Sequence, residues 1–306
     1  MTTEQFFRNL MPPEGPVDVV LDTDAYNEAD DQFAIAYLVR SEPGLRVRGF
    51  CAAPFYNARV SSPQEGMEKS FDEIQNILSL SGRKDLCSLV HAGAPRYLPD
   101  EHTPVLSDAA AFLAELSRQY SAEQPLYIVS IGAITNLASA LLLDPTMTER
   151  IVAVWLGGHA HHWTDTMEFN MKQDIAAARI VFDSGAPLVQ LPCCGVVDRF
   201  ATTQWELEHW LGGKNALCDY LIANTQDYAH RRLNPNGPWS KPLWDVTAIG
   251  WLLNKNNRFM EQDILPCPIP EYDYHYSFDA DRYPMAYVKT IKRDALYADL
   301  FAKLSR

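Results

Sequence analysis

The clearest pattern in the chain reads Val17-Asp18-Val19-Val20-Leu21-Asp22-Thr23-Asp24 and continues, after five residues, with Asp30-Asp31-Gln32-Phe33-Ala34-Ile35-Ala36-Tyr37-Leu38. Its first part is short, apolar and rich in valine, which is typical of a strand buried on both faces. Its second part is an apolar run that opens with two acidic residues, and such residues favour the N-terminal end of a helix. The pattern predicts a buried strand followed by a helix.

The same alternation continues along the 306 residues. Further short strands rich in Val, Ile and Leu are predicted over 46–52, 126–130, 151–156 and 187–191. Helices are predicted over 31–40, 69–79, 109–120, 136–143 and 175–183. This alternation predicts an α/β fold, with an open, mostly parallel sheet, helices on both faces and a Rossmann-like core.

The domain organisation is simple. No Gly/Ser-rich linker, internal repeat or long charge run divides the chain. The main interruption, Asn234-Pro235-Asn236-Gly237-Pro238, is typical of a surface loop. The basic, aromatic stretch 283–306 is expected to cover an edge of the sheet rather than to form an oligomer contact. We therefore expect one domain over residues 1–306.

Composition excludes several classes of function. The formal net charge of −13 argues against a nucleic-acid-binding protein, because such proteins concentrate Lys and Arg against phosphates. No apolar run reaches the roughly 18 residues that a membrane span needs. The N-terminal Met1-Thr2-Thr3-Glu4-Gln5 also lacks the basic and apolar regions of a signal peptide. A cytoplasmic protein that acts on a small neutral or sugar-like molecule is expected.

Four aspartates converge where the first strand ends and the next helix begins: Asp22, Asp24, Asp30 and Asp31. In open α/β sheets, ligands bind beyond the carboxyl ends of the strands. Carboxylates so close together repel one another unless a cation neutralises them or some are protonated. Oxygen ligands indicate a hard ion, and Ca²⁺ tolerates an irregular carboxylate shell better than Mg²⁺ does. The alternative, favourable charges at a helix N-terminus, explains only two of the four.

Three later segments carry polar residues next to predicted strands or helices. They read Gly132-Ala133-Ile134-Thr135-Asn136; Gly157-Gly158-His159-Ala160-His161-His162-Trp163 with Glu168-Phe169-Asn170; and Trp244-Asp245. The histidines are compatible with a transition metal, but a loop with His, Trp, Glu and Asn favours sugar contacts and an aromatic wall. Asp245 alone is equally compatible with a helix cap. The Cys193-Cys194 pair after the 187–191 strand is expected to lie in the core.

Taken in order, these segments resemble the inosine/uridine-preferring nucleoside hydrolase family over about residues 16–255. The family begins with a strand that ends in an Asp-x-Asp…Asp-Asp cluster, here Asp22-Thr23-Asp24 with Asp30-Asp31. The resemblance implies a nucleoside hydrolase-like fold, a tightly held Ca²⁺ and a homodimer or homotetramer. It also implies hydrolysis of the N-glycosidic bond of a ribonucleoside, as in purine and pyrimidine salvage.

The resemblance assigns a role to each matching residue. Asp24 would be a calcium ligand and the general base. The further calcium ligands would be Asp31, Asp245 and the backbone carbonyl of Thr135, with Asp22 beside the ligands rather than among them. The ribose hydroxyls would be held by Asp30, Asn57, Glu168 and Asn170.

The chain departs from the family pattern at three places. Five residues rather than three separate Asp24 from the Asp30-Asp31 pair. Trp244 stands where the family usually has the histidine that protonates the leaving base, and His162 stands where it usually has an asparagine. We therefore expect the metal and sugar end to be retained and the leaving-group end to be rebuilt.

The rebuilt end has several candidate residues. The aromatic side chains expected to stack on a flat base are Trp163, Trp239, Trp244 and Tyr228. The candidates for the missing acid are His161, His162 and Tyr228.

Two other functions compete with a hydrolase. The first is a riboside or nucleotide-sugar binding protein that keeps the metal site without turnover. The second is a Mg²⁺-dependent phosphatase of the haloacid dehalogenase type, in which Asp22 would be the nucleophile. The later lysine and acidic motifs of that class do not occur in order, which disfavours it.

Overall fold

The segment 17–23 forms a strand with a parallel neighbour on each side. In the computed structural model, which describes residues 1–234 and 237–306, this strand is β1 (Val17–Thr23). Its last five residues are buried. Asp24 follows directly at the carboxyl end of β1, where the chain leaves the sheet.

The main sheet of the described chain has eight strands in the order β3-β2-β1-β4-β5-β6-β12-β9, of which only the β12–β9 pair is antiparallel. The strands that join β1 in it are β2 (Leu45–Ala52), β3 (Val90–His91), β4 (Leu126–Ser130), β5 (Ile151–Leu156), β6 (Leu188–Leu191), β9 (Met260–Pro266) and β12 (Pro284–Ile291). Two small antiparallel pairs are β7 (Ala201–Thr203) with β8 (Ser240–Pro242), and β10 (Ile269–Pro270) with β11 (Tyr276–Ser277).

The helices are α1 (Thr3–Asn9), α2 (Asp31–Val39), α3 (Pro63–Leu80), α4 (Asp108–Ser117), α5 (Thr135–Leu143), α6 (Phe169–Gln173), α7 (Ile175–Asp183), α8 (Gln204–Leu211), α9 (Ala216–Arg232), α10 (Val246–Leu252) and α11 (Arg293–Leu304). Short 3₁₀ turns lie at Lys84–Leu89, Pro145–Glu149, Val197–Arg199 and Lys255–Asn257.

Helices cover the sheet on both faces, because successive side chains of β1 point to opposite sides. Val19 and Leu21 pack into one apolar layer with residues of α2, α3 and α10. Val20 packs into a second layer with residues of α4, α5 and α7. This two-sided burial confirms the predicted α/β fold with a mostly parallel sheet, and it explains why β1 is almost continuously apolar.

The predicted elements agree with the structure except at the C-terminal end. The five predicted strands and five predicted helices are all present, with ends that differ mainly at α3 and α4. The prediction that 283–306 covers a sheet edge is wrong, because Pro284–Ile291 is an interior strand between β6 and β9. Its buried run, Met285 to Val288, is apolar enough for that place.

Two further observations concern the chain as a whole. Pro235 and Asn236, at the centre of the predicted 234–238 loop, lie outside the described residues. Among the helices that are described, none combines the length and apolarity needed to cross a membrane.

Candidate active site

A cavity of about 210 Å³ opens at the carboxyl ends of β1, β4, β5 and β6. This is the edge at which parallel α/β sheets bind ligands. The lining comes from loops that follow these strands and from the first residues of α2, α6 and α10: Asp24, Asn27, Glu28, Asp30, Asp31, Ile131, Leu156, His159, Met167, Glu168, Phe169, Asn170, Cys193, Cys194, Trp244 and Asp245.

Three buried aspartates form the tightest acidic group in this cavity. Asp30, Asp31 and Asp245 each place a carboxylate oxygen within 4.8 Å of the other two. Asp30 and Asp245 stand at the N-cap positions of α2 and α10, yet neither side chain makes a capping hydrogen bond. Helix capping therefore does not account for these residues.

Asp24 adds a fourth buried carboxylate to the same cavity. Burial, and then the charges of Asp31 and Glu28, raise the pKa of Asp24 well above its usual value. Burial and the Asp30 charge likewise raise the pKa of Asp31 to about 7. Burial, followed by the Asp30 and Asp31 charges, raises the pKa of Asp245. The cluster is costly to ionise without a counter-charge.

A lysine that the sequence analysis missed supplies part of that counter-charge. The ammonium of Lys241 donates to Glu28 at 2.6 Å and to Asp30 at 2.8 Å, and its side chain is 2% exposed. Burial would raise the pKa of Glu28, but the Lys241 charge offsets this and leaves that pKa below its usual value. The pKa of Asp30 stays raised, because burial outweighs the same lysine there. Lys241 fixes the longer loop after Asp24 to the start of α2.

The donor set fits a hard divalent cation. Among the described residues, Oδ2 of Asp24 and Oδ2 of Asp30 are buried without a hydrogen-bond partner. Oxygen donors without His or Cys in the aspartate group are what Ca²⁺ and Mg²⁺ prefer. Thr135, the predicted carbonyl ligand, is buried at the first residue of α5, outside the lining, and its hydroxyl donates to Asp174 at 2.7 Å.

Glu168 and Asn170 line the cavity, and each side chain is held by several hydrogen bonds to backbone groups. The carboxylate of Glu168 accepts from the backbone N–H groups of Gly158, Asn170 and Met171 at 2.9–3.0 Å. The amide nitrogen of Asn170 donates to backbone carbonyls at the ends of β4 and β5, at 3.1 and 3.0 Å. Because both amide hydrogens are used, the remaining function of Asn170 is to accept through Oδ1. Both side chains are rigidly held.

Asn57 and Asp22 lie outside the cavity lining. Asn57 donates to the side-chain oxygen of Asn27 at 2.7 Å, so it contacts the cavity through a residue of the longer loop. Asp22 is fully buried and accepts from Asn136 at 2.8 Å. Burial raises the pKa of Asp22 to about 7. A carboxylate so enclosed is poorly placed to be the nucleophile of a phosphatase.

The aromatic residues predicted at the leaving-group end are only partly brought together. Trp244 lines the cavity, together with Phe169 and Met167, whereas Trp163, Trp239 and Tyr228 do not. Tyr228 instead lies against Lys241, whose ammonium is 5.1 Å from the ring centre. The flat surface available to a base is therefore smaller than the sequence suggested.

The histidines of the 157–163 loop separate into different places. His162 is exposed and lies outside the lining. His161 packs against Tyr276 and Tyr287, and its Nε2 meets Gln190 at 3.1 Å; burial lowers its pKa to about 4. His159, which the sequence analysis did not single out, is the one that lines the cavity. Its only sequence signal is its position directly after the Gly157-Gly158 turn.

A larger open groove lies at the opposite, amino end of the sheet, around Asp18, Arg46 and Tyr120. Its central carboxylate is already satisfied, since Asp18 accepts from Arg46, Arg48 and Tyr120. Two buried carboxylate oxygens without a partner among the described residues, Oδ2 of Asp24 and Oδ2 of Asp30, belong to residues that line the smaller cavity instead. That cavity is the candidate active site.

The chain is similar to known proteins over most of its length. The family model described as inosine-uridine preferring nucleoside hydrolase matches residues 19–282. The pyrimidine-specific ribonucleoside hydrolase RihA of Salmonella paratyphi A is 25% identical over 261 residues, which cover 77% of this chain and 79% of that protein.

Two solved structures share the fold. A plant nucleoside hydrolase superimposes with a TM-score of 0.73 at 21% identity, covering 95% of this chain and 99% of that one. A purine-preferring ribonucleoside hydrolase from Gardnerella vaginalis gives a TM-score of 0.75 at 19% identity, covering 94% of this chain and 98% of that one.

Proposed function

This chain belongs to the inosine-uridine preferring nucleoside hydrolase family, and from that premise we propose that it hydrolyses the N-glycosidic bond of a ribonucleoside or a related riboside. The observation that carries the proposal is the group of buried, partly unpartnered aspartates that shares one cavity with Glu168 and Asn170. A water molecule and a sugar would meet in this cavity.

The acidic end would hold a cation and the attacking water. We propose that Asp24, Asp31, Asp245 and the carbonyl of Thr135 hold Ca²⁺, with Mg²⁺ as the weaker alternative. When bound, the cation would lower the pKa of a water molecule and orient it. Oδ2 of Asp24, which lacks a partner in the described chain, would take the proton from that water. Asp24 thus acts as the general base.

The sugar would be held by side chains that are already fixed. Oδ1 of Asp30 accepts from Lys241, and Oδ2 has no hydrogen-bond partner among the described residues, so Oδ2 would accept from a ribose hydroxyl. Oδ1 of Asn170 and the carboxylate of Glu168 would accept from others, with Asn57 acting through Asn27. The positive charge that develops on the sugar as the bond breaks would be stabilised by the surrounding carboxylates.

The test is release of free sugar from a panel of purine, pyrimidine, modified and nitrophenyl ribosides. Wild-type protein is compared, with and without added Ca²⁺, to Asp24→Asn and to the matched control Asp72→Asn, which lies on the exposed side of α3. We expect Asp24→Asn to lose at least about a thousandfold in kcat and the control to be unchanged. Tight binding of ribosides without any sugar release by the wild type would instead support a binding protein.

The remaining predictions from the family resemblance concern the assembly and the setting of the enzyme. We propose a homodimer or homotetramer of one-domain subunits, with a small-molecule substrate from purine or pyrimidine salvage. Light scattering on the purified protein tests the subunit number, and a monomer at micromolar concentration would contradict it.

A further inference from the structure

The backbone on both sides of His159 is hydrogen-bonded to the loop after β6. The backbone N–H of Cys193 donates to the carbonyl of Gly158 at 2.9 Å, and that of Ala160 donates to the carbonyl of Cys194 at 3.0 Å. Gly158 has a φ of +71°, and a Cβ at that position would lie 2.2 Å from the hydroxyl of Tyr276. The residues on both sides of His159 are therefore fixed.

A third contact determines where the ring of His159 carries its hydrogen. The backbone N–H of Cys194 donates to Nδ1 of His159 at 3.3 Å. A backbone amide can only donate, so Nδ1 must accept, and the neutral ring carries its hydrogen on Nε2. This Nε2–H has no partner among the described residues. His159 therefore offers one free donor.

His159 lines the cavity of the candidate active site. Met167, Phe169 and Trp244, which are apolar or aromatic, line the same cavity. Ligand pockets are usually lined by apolar side chains, and a small number of polar groups among them orients the ligand. Trp244, which replaces the usual acid, carries no group that can give up a proton readily.

We infer that His159 donates a hydrogen bond from Nε2 to the leaving base, which selects ribosides of neutral bases that carry a carbonyl oxygen or an unprotonated ring nitrogen. The inference rests on the proposed function. It assigns to His159 the place for which the sequence suggested His161, His162 or Tyr228.

The chemistry balances without proton transfer from His159. The oxygen of water bonds to the anomeric carbon, and a proton of that water passes to Asp24. The bond from the anomeric carbon to nitrogen breaks, and its electron pair stays with the base. The hydrogen bond from His159 stabilises the negative charge that grows on the acceptor atom of the base. The released base takes its proton from solvent.

The test compares kcat/KM for uridine and inosine with kcat/KM for 4-nitrophenyl riboside, whose leaving group needs no donor. We expect His159→Phe to lower the values for the two nucleosides by about tenfold to a hundredfold, with the nitrophenyl substrate nearly unaffected. His159→Gln should recover part of the loss, because its amide also donates. His102→Phe, an exposed change outside the cavity, is the matched control and should behave as wild type.

Melting curves of each variant separate a folding defect from loss of the donor. An equal loss on all substrates by a folded His159→Phe would overturn the inference while leaving the hydrolase intact. If the pH profile of kcat/KM loses its acidic or its basic limb in His159→Gln, the inference is also overturned, because that loss would show proton transfer by His159. Absence of sugar release from every substrate by wild-type protein would overturn the proposed function and the inference together.

Discussion

The two ends of the cavity are built in opposite ways. The acidic end combines Asp24, Asp30, Asp31 and Asp245 with one buried cation, Lys241. The proposed leaving-group end combines the ring of His159 with apolar and aromatic side chains. Charged side chains predominate at the first end, whereas the second end offers apolar surface and one hydrogen-bond donor.

The two ends also differ in the structural elements that supply their side chains. The acidic side chains come from the end of β1 and the first residues of α2 and α10, so their positions are set by regular elements. The leaving-group side chains come mainly from loops after β5 and β6. Loops tolerate change more readily than packed strands and helices do. We therefore expect the two ends to respond differently to mutation, cations and pH.

The largest effect should come from removing the buried ammonium group of Lys241 at the acidic end. Lys241→Met leaves Asp30 and Glu28 without their partner, and breaking a buried pair costs about 3–5 kcal/mol of the free energy of unfolding. Urea denaturation measures it. Lys289→Met, which removes a surface pair with Asp263, is the matched control and should change little. Equal losses of unfolding free energy in the two variants would contradict this prediction, because the buried pairs of Lys241 would then contribute no more than a surface pair.

The loop after β5 should lose stability in acid, because it carries the partly buried His161, which lies outside the cavity lining. The pKa of His161 is about 4, below the usual 6.5, because burial disfavours the charged ring. The unfolded state therefore binds more protons, so the stabilisation is complete above pH 6.5 and is lost as pH falls towards about 4. At most about 3 kcal/mol is involved. The difference in unfolding free energy between wild type and His161→Phe should therefore shrink as pH falls from 7 to 4.5, whereas the exposed His102→Gln should show no such change.

Binding of a divalent metal ion at the acidic end should stabilise the folded protein by a comparable amount. At a hundredfold excess over its Kd, Ca²⁺ should add about 2.7 kcal/mol, which corresponds to a rise in Tm of roughly 4 °C for a chain of 306 residues. Mg²⁺ should add less, because it demands a more regular shell. Asp245→Asn should abolish most of the rise, while Asp72→Asn keeps it. A Tm that stays unchanged on addition of every divalent ion tested would contradict the proposed metal site.

The smallest effect should come from restoring the usual family residue at the leaving-group end. Trp244→His places an imidazole beside Asp245, but the ammonium of Lys241, now 5.9 Å from the Trp244 ring, disfavours a charged ring there. We expect no more than about a tenfold gain in kcat/KM for uridine, and a larger relative gain in a His159→Phe background. A decrease for uridine alone would show that stacking on Trp244 matters more than an acid.

Short-range patterns in the sequence were sufficient for much of the fold. The apolar run 17–21 and the acidic opening of the next helix predicted β1 and α2, because both signals depend on residues that are neighbours along the chain. The strand Pro284–Ile291 was missed. Its place depends on pairing with β6 and β9, which lie far away in sequence.

The sequence by itself determined most of the acidic end, because three of its four aspartates, Asp24, Asp30 and Asp31, flank one strand and one helix whose geometry is local. Only the tertiary structure decided the rest. Lys241 reaches Asp30 across 211 positions, and Cys194 fixes the ring of His159 across 35. A lysine or a histidine looks the same in any surface loop, and its role follows from burial and from partners that only the folded chain brings into contact.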